Sequence, residues 1–281
     1  MGTTLAVLLR RRGHVISSVV SRHLAHASRC AKLVRCSTSS THLSDLSPDT
    51  NLVIIATTDE AVRSVAEATS RLRHLDFQHL LVLHTSGVLT SEELQRLRAK
   101  GATTLSFHPL QTFPRGIPLG TQIDSMEGIS YGIEGSPRAL RFARVLAAEL
   151  GGKTIVIPKQ EKILYHVGAV IASNYVVALL GAAEESLSSL TSSAGLRHFR
   201  KLAETSVRNA FRLSPREALT GPVVRGSSQV VTRHLRVLRR KHDLRALYKA
   251  VGLYALELSR KSRRLTKSQE RELRRILSKA G

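Results

Sequence analysis

Five short apolar runs alternate with helical segments through the first half of the chain, and this alternation constrains the fold more than any other feature. The runs are rich in β-branched residues and almost continuously apolar, as strands buried on both faces are. Such alternation predicts a parallel sheet covered by helices. The runs are "NLVIIATTD" (51–59), "HLLVLHTSG" (79–87), "TTLSFHP" (103–109), "GISYGIEG" (128–135) and "KTIVIP" (153–158).

After Pro158 the sequence has helical patterns only. We therefore predict an α/β domain over residues 1–158, followed by an all-α domain over residues 159–281. Within the first domain, Ser136 and Pro137 are typical of a helix start and Gly151 of a helix end. The predicted helices are 60–70, 91–100 and 137–150 in the first domain, and 159–186, 196–212, 227–240, 243–262 and 267–279 in the second.

The amino end looks like the second part of a dinucleotide-binding βαβ unit. Residues 2–12 predict a helix, residues 15–20 predict a short buried strand, and Gly2 stands where a G-x-G-x-x-G turn would place its last glycine. The first strand and the earlier glycines are missing from the sequence. We expect them upstream of Met1, because the rest of the unit is intact. The alternative is a chain that has lost cofactor binding.

The charge of the chain is strongly positive and unevenly spread. The formal net charge is +22, and the segment from Arg233 onward holds 16 Lys and Arg against 4 Asp and Glu, a net +12. Such a tail can engage phosphates of a nucleic acid. No aromatic interleaving or nucleic-acid motif accompanies it, so solvated helix faces are the favoured interpretation and nucleic-acid binding the alternative.

Two further features bear on the compartment. The two cysteines, Cys30 and Cys36, are too few for a disulfide framework, which favours a reducing cytoplasm. The apolar stretch 167–183 contains Ser173 and Asn174 and is short for a membrane span of about 20 residues. We therefore predict a buried core helix there and no membrane association.

Polar turns follow several of the predicted strands, and ligands of open parallel sheets bind beyond the carboxyl ends of the strands. Ser21 and Arg22 replace the acidic residue that would accept from a ribose 2′-hydroxyl, and a guanidinium suits a 2′-phosphate instead. This favours NADP(H) over NAD(H). An unspecialised surface arginine is the alternative. The predicted cofactor-binding residues are Gly2, Ser21, Arg22, Thr57, Thr58, His84 and Ser86.

The candidate catalytic residues are His108, Lys162 and Asn174. His108 follows a strand, where an imidazole can act as general acid or base or bind a substrate carboxylate. Lys162 can donate a proton and Asn174 can orient a substrate. A loop-bonded histidine and a solvated lysine are the structural alternatives. No G-x-S-x-G elbow and no metal-ligand grouping is present, which argues against a hydrolase and predicts no metal site.

Four more residues are predicted to contact the substrate. Tyr165 and His166 lie beside Lys162 on the predicted helix, and Thr220 and Arg225 belong to the loop "ALTGPVVRGSS" (218–228). Such a loop can present backbone N–H groups and one guanidinium to an anion, or it can simply connect two helices.

Four motifs together resemble a known family: "LHTSGVLTSEEL", "SFHPLQTF", "LYHVGAVIASNYVVALL" and "ALTGPVVRG". The chain resembles bacterial proteins with a Rossmann-like domain followed by a DUF2520 domain, which are related to ketopantoate reductase, pyrroline-5-carboxylate reductase and the 6-phosphogluconate dehydrogenase group. The resemblance implies an NADP-type Rossmann-like domain, a 6-phosphogluconate-dehydrogenase-like helical domain of the kind that builds dimers, and an active site between them.

From the residues and the resemblance together we expect a cytoplasmic, homodimeric, NADP(H)-dependent oxidoreductase. It would transfer hydride to or from a small carbonyl, imine or hydroxy compound. The alternative is a non-catalytic NADP-binding or interaction module whose basic tail engages an anionic partner.

Overall fold

The computed structural model describes residues 1–187 and 195–279. The chain forms two compact units, Met1–Tyr175 and Val176–Gly281. The first is an α/β unit and the second is helical, which confirms the predicted fold class. The division falls 17 residues after the predicted boundary at residue 158, because the helix that follows this boundary packs its first turns on the sheet of the first unit.

The amino end forms a small α/β layer. Helix α1 (Gly2–Arg11) leads to strand β1 (Val19–Val20), which pairs in parallel with strand β2 (Ser39–Ser40). This strand is shorter than the predicted run over 15–20, and the first residue of that run, Val15, is 80% exposed instead of buried. Helix α2 (Leu24–Val34) links the two strands. We predicted no helix there, although its small apolar residues at helical spacing bury the face toward the core: Ala27, Cys30, Ala31 and Val34.

A second sheet has five strands in sequence order. They are β3 (Leu52–Ile55), β4 (Leu81–His84), β5 (Thr103–Pro109), β6 (Ser130–Gly135) and β7 (Lys153–Val156). All five match the predicted runs. The first three are parallel, as expected for a Rossmann-like sheet. Strand β6 pairs antiparallel with β5, and β7 pairs in parallel with β6, so the last two strands run in the opposite direction to the first three.

Helices cover both faces of this sheet. On one face α1 and α6 pack with Leu83, Leu105 and Phe107. On the other face α3 and α4 pack with Ile55 and Val82. Alternate residues of one strand therefore serve the two layers. The helices of the first unit after α2 are α3 (Asp59–Ser70), α4 (Gln95–Ala99), α5 (Leu119–Asp124), α6 (Pro137–Glu149) and α7 (Lys162–Ala172), with a 3₁₀ turn at Ser91–Leu94 before α4.

The two sheets of the first unit are not joined by hydrogen bonds between β1 and β3 in the described part of the chain. They begin close together, since Ser17 Oγ lies 3.3 Å from Thr50 Oγ1. The buried side chain of Leu5 belongs to the same core as Val19 and Leu52. The two sheets therefore share one apolar core without pairing through β1 and β3 in the described residues.

The second unit is a helical assembly with its own core. Val231 and Leu235 pack with Leu256, Leu273 and Leu277. The predicted single helix over 159–186 is two helices, because Ser173 leaves helical geometry and its hydroxyl donates to the Ala169 carbonyl. The remaining helices are α8 (Asn174–Leu187), α9 (Arg200–Leu213), α10 (Pro215–Ala218), α11 (Ser228–Val237), α12 (His242–Lys261) and α13 (Lys267–Ser278).

Basic side chains of the last helices form surface ion pairs. Arg260 pairs with Glu257, and Arg275 pairs with Glu272. Exposed pairs of this kind contribute little stability, because water screens both charges. Their acids are few, so the carboxyl-terminal segment keeps its net +12 charge. The anionic partner that this charge would suit stays a prediction.

Helices α7 and α8 carry apolar side chains that the chain itself does not cover. Ile163 is 67% exposed and Val177 is 68% exposed. The prediction of a buried core helix is therefore wrong for the single chain. By length and composition alone, the helical stretch Lys159–Leu187 qualifies as a candidate membrane span, with a mean hydropathy of 1.8. One helix of this kind is weak support for a membrane protein, because core helices of soluble proteins pass the same test.

The start of α6 offers a test of local stability. Ser136 Oγ accepts from the backbone N–H of Ala139, as the sequence predicted, whereas Ser227 at the start of α11 makes no such bond. We expect Ser136→Ala to lower the free energy of unfolding by about 1 kcal/mol. The matched Ser227→Ala should change it by less than about 0.5 kcal/mol. Urea unfolding measures both, and equal losses would contradict the assignment.

Candidate functional site

Helix α7 lies against the sheet through its first two turns. Lys162, Tyr165 and His166 are three and four residues apart and share one face of the helix. That face meets the side chains of β4, β5 and β6 that alternate with the core residues of these strands. The result is a polar cluster at the carboxyl ends of β4 and β5, within the first unit.

Lys162 is the most deeply buried of these groups. It has no exposed surface, and its Nζ donates to Ser106 Oγ at 2.7 Å. Ser106 Oγ in turn donates to the Ser86 carbonyl at 3.4 Å. Burial lowers the pKa of Lys162 to about 8, while the charge of Glu134 acts in the opposite direction. An amine without exposed surface cannot touch a substrate as the chain stands, so Lys162 is placed to act through Ser106.

His108 and Tyr165 form a hydrogen-bonded pair. His108 Nδ1 lies 2.9 Å from the Tyr165 hydroxyl, and the two rings are perpendicular. Burial, followed by the charge of Lys162, lowers the pKa of His108 to about 4. Burial raises the pKa of Tyr165 to about 12. Both groups are therefore neutral near pH 7.

Two glycines allow this cluster to close. A Cβ on Gly87 would lie 2.7 Å from His166 Nδ1 and 2.9 Å from His108 Nε2, and a Cβ on Gly132 would collide with the Tyr165 hydroxyl. Any side chain at these positions would push the rings away from the sheet. His166 Nδ1 is buried and has no hydrogen-bond partner in the described part of the chain. It is a polar atom that a bound group can satisfy.

His84 and Ser86 hold the turn that carries Gly87. His84 Nε2 donates to the Thr90 carbonyl at 3.0 Å, and its Nδ1 accepts from the Ser86 backbone N–H at 3.3 Å. Ser86 Oγ accepts from the Leu89 N–H at 3.1 Å. Burial lowers the pKa of His84 to about 4. Both side chains are engaged in building the turn, and their contact with a cofactor stays a prediction.

The predicted cofactor-binding residues at the amino end lie at other strand ends. Ser21 and Arg22 follow β1, and Arg22 is exposed. Thr57 and Thr58 follow β3 and are exposed. Gly2 begins α1 and lies against Ala56, because a Cβ on Gly2 would be 3.2 Å from the Ala56 Cβ. Gly2 and the residues after β3 are therefore close together, as a nucleotide site at this edge requires.

Three predicted residues belong to other elements of the chain. Asn174 is at the start of α8, and its Oδ1 accepts from Ser173 Oγ at 2.8 Å. Thr220 and Arg225 belong to the second unit, where both are exposed on the loop before α11. Their roles stay predictions. In the described residues no group of three His, Cys, Asp or Glu is placed to hold a metal ion.

Sequence reasoning missed five residues of the cluster. Ser106 precedes His108 by two positions in β5 and so shares its face of the sheet, a signal that was available. Glu134 is a lone carboxylate inside an apolar run, which is also a signal. The contacts of Gly87, Gly132 and Ser91 depend on how α7 and the 3₁₀ turn pack, and no local pattern carries that information.

Comparison with known proteins agrees with the fold. A Rossmann-like domain model matches residues 1–109, and the model of the domain of unknown function DUF2520 matches residues 129–255. The chain is a Rossmann-like and DUF2520 domain-containing protein, which confirms the family that its motifs resemble. No curated protein matches it.

Solved structures with the same fold span both units. A proposed NADP oxidoreductase from Bacteroides fragilis is 23% identical, with a TM-score of 0.74 over 90% of this chain and 93% of that one. A protein from Thermotoga maritima is 26% identical, with a TM-score of 0.70 over 92% and 97%. A pyrroline-5-carboxylate reductase from Coxiella burnetii is 14% identical, with a TM-score of 0.56 over 95% of each chain.

The two buried histidines make the free energy of unfolding depend on pH. His84 and His108 have a pKa of about 4 in the fold against an ordinary 6.5. Between these values the unfolded chain binds more protons, so stability falls as the pH falls from 6.5 toward 4. The full loss is about 3 kcal/mol for each histidine. Urea unfolding at pH 7, 6 and 5 should show this fall, and His84→Gln or His108→Gln should flatten it.

Exposed His23 provides the control for this experiment. His23→Gln should leave the dependence on pH as it is in the parent chain. A slope that is identical in all three variants would show that His84 and His108 are not the groups responsible.

Proposed function

We propose that the chain is an NADP(H)-dependent oxidoreductase acting on a small carbonyl, imine or hydroxy compound. The observation that carries this proposal is the neutral His108–Tyr165 pair at the carboxyl end of β5, the edge at which open parallel sheets bind their ligands. The fold likeness to a proposed NADP oxidoreductase and to a pyrroline-5-carboxylate reductase supports it.

The residues present fit a dinucleotide. When bound, NADP(H) supplies or accepts the hydride. Helix α1 begins at Gly2 without a side-chain cap, which leaves its first N–H groups for a phosphate. Arg22 is exposed after β1 and offers the planar donors that a 2′-phosphate prefers. Thr57 and Thr58 border the same region after β3.

His108 is the proposed acid and base. A neutral imidazole accepts the proton of a substrate hydroxyl or amine as hydride leaves, and the protonated ring returns it in the opposite direction. The bond to Tyr165 fixes the plane of the ring in either direction. Lys162 contributes a buried positive charge behind Ser106 and makes no direct contact with the substrate. His166 lies beside this pair, with its Nδ1 buried, and its contact with the substrate stays a prediction.

A second copy of the chain is the proposed partner. The uncovered apolar side chains of α7 and α8, among them Ile163, Ile171 and Val177, form the kind of face that a stable protein buries. A homodimer that covers these helices accounts for their composition, and it agrees with the dimers implied by the family resemblance.

Nucleotide titration tests the cofactor. The chain is compared with a version extended at its amino end by a β-branched strand and a glycine-rich turn leading into Gly2. We expect the extended form to bind NADPH more tightly, because the turn supplies backbone N–H groups to the pyrophosphate. Arg22→Ala should weaken NADPH binding by about 10-fold or more, the value of one charged hydrogen bond, and leave NADH binding unchanged.

Arg29→Ala, on the exposed side of α2, is the matched control and should change neither affinity. If neither form of the chain binds either nucleotide, the first unit is a scaffold. The interaction module with an anionic partner then becomes the better description.

Turnover tests the acid–base assignment. The extended form is assayed with NADPH or NADP⁺ against a panel of small ketones, imines and hydroxy acids, following the absorbance of the reduced nicotinamide. We expect His108→Gln to lower turnover by about 10²–10⁴-fold and to leave NADPH affinity intact. His23→Gln should have no effect. Full turnover in His108→Gln would overturn the role of His108.

A further inference from the structure

A buried polar row crosses three neighbouring strands beneath α7. Ser106 of β5 is in register with His84 of β4 on one side and with Glu134 of β6 on the other. Residues directly opposite each other on adjacent strands share a face of the sheet, with Cβ atoms about 4.5–5.5 Å apart. All three side chains are buried: His84 and Ser106 have no exposed surface, and Glu134 is 7% exposed.

Glu134 is held at the end of this row by one residue. Its two oxygens accept from the Ser91 backbone N–H at 2.6 Å and from Ser91 Oγ at 2.9 Å. Both donors are neutral. A buried carboxylate is costly unless an opposite charge accompanies it. The carboxylate therefore requires a cation within the same buried space.

Lys162 is that cation. Its Nζ lies on Ser106 Oγ, the side chain next to Glu134 in the row. Three titratable groups around Lys162 are uncharged near pH 7: His84 from β4, His108 from β5 and Tyr165 from its own helix. Two charged residues line the same cleft, and each has a partner of opposite charge: Glu93 pairs with Arg63, and Lys159 pairs with Glu92. In the described part of the chain, Glu134 is thus the acidic group that faces the ammonium.

We propose that Glu134 is a positioning residue, whose carboxylate, clamped by Ser91, is the counter-charge that holds the Lys162 ammonium on Ser106. Ser106 then keeps the Ser86 carbonyl in place, and with it the turn that sets Gly87 against His108. The catalytic consequence rests on the proposed function. The electrostatic interaction between Glu134 and Lys162 does not.

The test is a direct titration of Lys162 by NMR of the full chain labelled with ¹³Cε-lysine, the signal being assigned by its absence in Lys162→Arg. The wild-type signal should titrate near pH 8. In Glu134→Gln the midpoint should fall by about one pH unit or more, because the opposite charge is gone. An unchanged midpoint in Glu134→Gln would overturn the proposal.

Two further variants make the result specific. Glu92→Gln removes an equal charge from the same 3₁₀ turn at an exposed position and should leave the Lys162 midpoint unchanged. Ser91→Ala keeps both charges and removes one anchor of Glu134, so the midpoint should fall by less than in Glu134→Gln. If Glu134→Gln does not fold, the Ser91→Ala variant provides the test. An unchanged Lys162 midpoint in Ser91→Ala would then overturn the proposal.

The experiment needs neither nucleotide nor substrate, so its failure and that of the proposed function are distinguishable. If the extended form turns over a substrate, the pH profile of kcat in Glu134→Gln should move toward lower pH by the same amount as the Lys162 midpoint. A mutation that only loosens the fold would lower kcat at every pH without moving the profile.

Discussion

The docking of α7 onto the sheet is the contact on which the rest of the site depends. The helix makes it with polar groups, through Lys162 on Ser106 and Tyr165 on His108. Hydrogen bonds are directional, so they fix both the rotation and the height of the helix on the sheet, which apolar packing alone would leave looser. This contact buries the ammonium group of Lys162, and the nearby carboxylate of Glu134 offsets the desolvation cost of that burial.

The glycines and the polar row follow from this contact. With α7 fixed, the rings of His108, Tyr165 and His166 reach the backbone of the neighbouring strands, and only glycine fits at residues 87 and 132. The same closeness removes water from the two histidines, and this burial keeps both rings neutral near pH 7. The docking of α7 therefore requires glycine at residues 87 and 132 and also keeps His84 and His108 neutral near pH 7.

Sequence patterns predicted the strands, most of the helices and several members of the site, because these depend on local periodicity and on the rule that strand ends gather at one edge of a sheet. His108 in "SFHP" and Lys162, Tyr165 and His166 in "KILYH" are examples. Periodicity did not show that β6 reverses direction, that Ser173 divides the long helix, or that Glu134 faces Lys162. The direction of β6 and the position of Glu134 depend on pairing between segments distant in the chain, and the register of β5 with β6 brings Glu134 beside Ser106 and Lys162. The break at Ser173 is local, but an isolated serine in an apolar helical pattern does not by itself predict one.

The proposed chemistry and the proposed nucleotide cradle draw on different parts of the first unit. The acid–base cluster is built from β4, β5, β6 and α7, and its hydrogen bonds link these elements with the 3₁₀ turn and with residues 85–90 before it. The residues that would hold the nucleotide lie on α1, β1 and β3, the region where the two sheets are not joined. We therefore expect a change at Gly2 or Arg22 to alter nucleotide affinity and to leave the hydrogen bonds of His108 and Lys162 as they are. These two properties can be measured separately in the same molecule.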